Sequence, residues 1–132
     1  MLTESRAMIM VIGGDSNFCF LIRRYIRQSL HRAVLVNLPE DAIGIAHREK
    51  PIAIILEVDH PGSADWSVLR ALKTDECTRR IPVVLCSWKD DDPDYQSADH
   101  KAEVFLRKPV LYEDFQAALA QLGISSEGLK GK

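Results

Sequence analysis

Short, continuous apolar runs alternate along this chain with longer stretches of helical period. Met8-Ile9-Met10-Val11-Ile12, stopped by Gly13-Gly14, predicts a buried strand. Phe18, Leu21, Ile22, Tyr25, Ile26 and Leu30 then fall on one helical stripe, with Asp15 or Ser16 placed to cap its start. Ala33 to Val36 reads as a second strand, and Pro39-Glu40 opens a second helix with Ala42, Ile43, Ala46 and His47 along it. Ile52 to Glu57 predicts a third strand, and Trp66, Leu69 and Leu72 recur at a helical spacing of three. Ile81 to Ser87 is a fourth strand, residues 95–100 a short, weakly patterned helix, and Val104 to Arg107 a fifth strand. Leu111, Phe115, Ala118, Leu119 and Leu122 mark a last helix that Gly123 ends.

Strict strand–helix alternation predicts an α/β fold, a doubly wound five-stranded parallel sheet with helices on both faces. The strands are apolar on both sides, as strands sandwiched between helix layers must be. Ligands of such sheets sit at the carboxyl ends of the strands. The residues expected there are Gly13, Gly14, Asp15, Glu57, Ser87 and Lys108, the last fixed by the following Pro109. One domain over 8–123 is expected, with an N-terminal tail over 1–7 and a polar C-terminal tail or linker over 124–132.

Composition narrows the possibilities. At 132 residues, 46% hydrophobic and 27% charged, the chain is of ordinary single-domain size and make-up. A net charge of −2 gives no strong overall field for nucleic acid; a local basic patch stays open, but direct nucleic-acid binding is not expected. Cys19, Cys77 and Cys86 form no CxxC pair, which argues against a disulfide framework or zinc site. No run approaches the ~20 apolar residues of a membrane span, so a cytoplasmic protein without membrane contact is expected. Asp59-His60 and the run Asp90-Asp91-Asp92 read as solvated loops. Gly13-Gly14 lacks the pattern of a phosphate-cradling loop.

Three fragments in order, Pro51 through Glu57 with Pro61-Gly62, Ile81-Pro82-Val83-Val84-Leu85-Cys86-Ser87, and Phe105-Leu106-Arg107-Lys108-Pro109, resemble the response-regulator receiver domain of two-component signalling. The resemblance covers residues 8 to 123. It implies transfer of a phosphoryl group from a histidine kinase to an aspartate at the end of the third strand. It also implies a magnesium ion held by an acidic pair after the first strand, and phosphoryl oxygens bound by a Ser or Thr and a Lys. Ser87 and Lys108 match those two positions, and Phe105 matches the switching aromatic. Glu57 stands at the phosphoacceptor position, and Gly13 and Gly14 stand at the acidic pair, with Asp15 one place late.

These departures matter physically. Glycines offer no side-chain metal ligand, and Asp15 is best placed as a helix cap. Glu57 extends its carboxylate by roughly 1.5 Å, one carbon–carbon bond, where a misplacement of about 1 Å can cost on the order of a hundredfold in rate. A longer carboxylate is expected to pair with Lys108, with Ser87 beside it. The expected function is a degenerate receiver, a protein-interaction module rather than an enzyme, with magnesium binding weak or absent. Its expected partner is a kinase, an output domain or a second copy, met through the fourth helix, fifth strand and fifth helix. The alternative is an atypical phosphoacceptor using Glu57 or Asp59, with Asp15 as the sole metal carboxylate.

Overall fold

The computed structural model describes residues 7–58, 65–88 and 101–124. Five parallel strands, β1 (Met8–Ile12), β2 (Arg32–Val36), β3 (Ala53–Val58), β4 (Val83–Ser87) and β5 (Val104–Arg107), form one sheet in the order β2-β1-β3-β4-β5. The described helices are α1 (Ser16–Gln28), α2 (Ala42–Glu49), α3 (Asp65–Thr74) and α4 (Tyr112–Gln121). This is the doubly wound architecture that the alternation predicts.

Because side chains alternate along a strand, each strand feeds two cores. Ile9, Val11, Ala53, Ile55, Val84 and Cys86 pack with Ile22 and Ile26 of α1 and Phe115 and Leu119 of α4. Met10, Ile12, Ile54, Leu56, Val83 and Leu85 pack on the other face with Ala42 and Ala46 of α2 and Leu69 and Leu72 of α3. By that parity Glu57 follows Ala53 and Ile55, towards the layer of α1 and α4.

Element ends differ from expectation in small ways. Pro39–Asp41 forms a separate 3-10 turn before α2, consistent with proline's preference for a first turn. Lys50 closes α2 in the left-handed region at φ 50°. Strand β3 runs one residue beyond Glu57 because Val58 still pairs with Ser87. His47 does not join the apolar stripe of α2: it lies exposed, with Nε2 2.7 Å from Asp75 Oδ2 beyond α3. Gly123 has φ 79°, and the amide of Ile124 bonds back to Leu119 O, so the chain turns off α4 where the glycine predicts. The expected helix over 95–100, the Asp59-His60 loop and the acidic run at 90–92 lie outside the described residues.

Candidate functional site

The carboxyl ends of β1, β3 and β5 bring together the most deeply buried charges among the described residues. Lys108 Nζ donates to Glu57 Oε2 at 2.5 Å, and only 4% and 1% of the two side chains is exposed. The other oxygen, Oε1, accepts the backbone N–H of Asp15 at 3.2 Å. Both oxygens of Glu57 are therefore engaged. An ion pair this deep persists because each charge is compensated at short range, and losing one partner costs ~3–5 kcal/mol.

The glycine after β1 makes this placement possible. A Cβ at Gly13 would stand 2.5 Å from Glu57 Oε1 and 3.1 Å from Glu57 Cβ. The Glu57 side chain thus lies across the bare backbone of Gly13, in volume that any larger residue there would claim. At Gly14 a Cβ would meet nothing within 4 Å. The two departures at positions 13 and 57 fit each other sterically.

Asp15 does not reach into the site. Its Oδ1 accepts the amides of Asn17 at 2.9 Å and Phe18 at 3.4 Å, capping α1. The backbone, not the carboxylate, of Asp15 serves Glu57.

Two aromatic rings complete the surroundings of Lys108. Its ammonium lies 4.9 Å from the centroid of Phe18 and 5.3 Å from that of Trp88, within cation–π range. Phe18 is buried in the α1 layer, whereas Trp88 is 53% exposed and stands on the solvent side. Sequence reasoning placed Phe18 in a helical stripe and passed over Trp88. The available signal was Trp88 directly after Ser87, a bulky ring at a strand end where ligands normally enter.

Ser87 is buried at the end of β4, and its carbonyl accepts the amide of Lys108 at 2.8 Å. That bond fixes the chain as it leaves β5, where the Lys108–Pro109 peptide bond is cis. Phe105 is half-buried and packs against the α2–α3 core. Cys86, beside Glu57 in the ladder, has its thiol pushed up to about 12. Burial is the main cause, outweighing the opposing pull of Lys108, and the Glu57 charge adds to it. A thiol so held is inert packing rather than a nucleophile.

Away from this site, His47, Asp75 and Cys77 bring one ligand atom each within 4.8 Å of one another. Sequence spacing concealed this group, because His47 comes from α2 and the other two from the turn after α3. Asp75 Oδ2 already accepts the amides of Cys77 and Thr78, so the carboxylate's evident task is to hold that turn. No helix of the described residues is long and apolar enough to cross a membrane.

No protein-family profile matches the chain. It is similar to the response regulator PleD of Caulobacter vibrioides, 41% identical over 70 residues, covering 52% of this chain and 15% of PleD. The chain thus spans a small part of that relative's length. Protein PilH of Pseudomonas aeruginosa is 24% identical over 105 residues, covering 79% of this chain and 87% of PilH. Among solved structures, the receiver domain of the sensor histidine kinase PA1611 from Pseudomonas aeruginosa superposes with a TM-score of 0.78 at 20% identity. That match covers 90% of this chain and 99% of the other, whose structure has a magnesium ion coordinated in its active-site cleft. In architecture the chain shares the fold of receiver domains, and over about half of its length its sequence is similar to that of the response regulator PleD.

Proposed function

We propose that this receiver domain acts as a phosphorylation-independent protein-interaction module. The observation that carries the reading is the closure of Glu57 over Gly13 onto Lys108. A phosphoryl acceptor must present an oxygen to its donor in line, with reacting atoms about 3–3.5 Å apart. Here the carboxylate is 1% exposed and both oxygens already have donors. The lysine that, by resemblance, would bind phosphoryl oxygens is held by Glu57 and flanked by Phe18 and Trp88.

Magnesium does not fit the residues present. It needs near-octahedral oxygen ligands, commonly one or two carboxylates. Gly13 and Gly14 supply no side-chain oxygen, Asp15 caps α1, and Glu57 is paired. Weak or absent magnesium binding is expected, and no reaction step is assigned to the ion. The Glu57–Lys108 pair instead keeps one conformation in place without a signal. By resemblance, partners meet the face built on β5, α4 and the predicted helix over 95–100, and a kinase, an output domain or a second copy fits that role.

A proton–nitrogen correlation spectrum recorded with magnesium and beryllofluoride tests the reading. The expected spectrum is unchanged. Concerted shifts at Ser87, Phe105 and Lys108 would overturn it, and would favour an atypical phosphoacceptor instead.

A further inference from the structure

Positive charge gathers at the β2 edge of the sheet, opposite the β5 edge. From Ser16 through Pro39 the sequence has no aspartate or glutamate, yet it holds Arg23, Arg24, Arg27, His31 and Arg32. In a chain of net charge −2 this is a strong local asymmetry. All of these residues but Arg24 line a cavity of about 470 Å³, together with Ala33 and Leu35. Arg23 and Arg27 stand exposed on α1, and among the described residues neither forms an ion pair. Strand β2 is the terminal strand of the sheet, hydrogen-bonded to β1 on one side. Leu35 on this strand is 38% exposed, and Leu38, two residues beyond its end, is 53% exposed.

We propose that this groove docks an extended acidic segment of a partner protein, which adds as a strand to the outer edge of β2. Its carboxylates would meet Arg23 and Arg27. An open strand edge offers main-chain donors and acceptors to an incoming chain. Arg23 and Arg27 are four residues apart on a helix, a rise of ~6 Å. Alternate side chains of a strand are spaced by ~6.6 Å, so carboxylates at every second position match the two guanidinium groups. Arginine suits such carboxylates because its planar fork can bind them through two hydrogen bonds. Apolar residues of the same segment would cover Ala33 and Leu35. A nucleic-acid strand suits the groove less well: among the described residues its lining holds no Phe, Tyr or Trp on which bases would stack. The inference does not depend on whether Glu57 accepts a phosphoryl group.

The test uses the full chain and fluorescein-labelled peptides, read by anisotropy. One peptide is Val-Glu-Val-Glu-Val-Glu and the other Glu-Glu-Glu-Val-Val-Val. The alternating peptide is expected to bind saturably and to weaken by about tenfold or more in Arg23→Glu/Arg27→Glu. Its amide shift changes are expected to centre on residues 32–36. Both arginines are exposed, so an unchanged melting curve accompanies the loss. Arg23→Gln/Arg27→Gln, which removes charge without reversing it, is expected to weaken binding less. The proposal is overturned by no saturable binding, by equal binding of the two peptides, or by binding that ignores the arginines. Tighter, arginine-dependent binding of oligo(dT) would also overturn it, in favour of a nucleic-acid site.

Discussion

Lys108 and Arg27 are both cations near an edge of the same sheet, and the chain treats them in opposite ways. Lys108 is enclosed by Glu57, Phe18 and Trp88 with 4% of its side chain exposed. Arg27 is exposed beside the terminal strand β2, with no carboxylate of the described residues paired to it. The first charge is paired inside the fold, and the second is exposed. A charge's neighbours, more than its position in a familiar motif, decide whether it can act on anything outside the chain. On the proposed reading, the pocket that resembles a phosphate site serves as an internal fastening, and the exposed charge lies elsewhere.

The largest effect expected from breaking the enclosed region comes from Lys108→Met. It leaves a carboxylate buried without its cation and is expected to cost ~3–5 kcal/mol in urea unfolding. Glu57→Leu/Lys108→Met, which removes both charges, is expected to recover most of that loss, since paired apolar replacement is often neutral. A double mutant no more stable than the single one would show that the ion pair is not the fastening.

Next in size is Gly13→Ala. Its Cβ would displace the Glu57 carboxylate, so a loss of ~1–3 kcal/mol is expected, as for overpacking in a core. In a Glu57→Asp background the same substitution is expected to cost less than half as much, because the shorter side chain withdraws from Gly13. Strict additivity in this cycle would contradict the steric fit of positions 13 and 57.

Trp88→Ala has a smaller expected effect, ~0.5–1 kcal/mol, the usual worth of an exposed cation–π contact. Smallest is the surface pair of His47 and Asp75. The hydrogen bond with His47 is the main cause holding the Asp75 carboxyl below its ordinary 3.8. Unfolded Asp75 titrates at the ordinary value, so the stabilisation is complete above about pH 4 and is lost as pH falls through the lower folded value. His47→Ala is expected to flatten that acid limb by lowering stability slightly above the ordinary value, while leaving it unchanged at the acid end.

Much of the fold was legible in the sequence because apolar runs and helical stripes report directly on two-sided burial. The Met8–Ile12 and Ile54–Leu56 runs placed two central strands, and Asp15 was readable as a cap. The departures at Gly13, Gly14 and Glu57 were also legible, each as a single position. Their mutual fit was not, because it depends on β1 and β3 lying side by side at a matched register. The roof of Phe18 and Trp88 was hidden for the same reason, since the two rings are 70 positions apart in the chain and meet only at Lys108. His47 misled because Ala42, Ile43 and Ala46 set an apolar stripe that a polar partner on another element interrupts.

The central claim is that the carboxylate of Glu57 is closed to phosphoryl transfer. Incubation of the full chain with acetyl phosphate and magnesium, followed by intact mass measurement, tests it most directly. The mass of the unmodified chain is the predicted result. A gain of one phosphate, mapped to Glu57 or Asp59, would contradict the account.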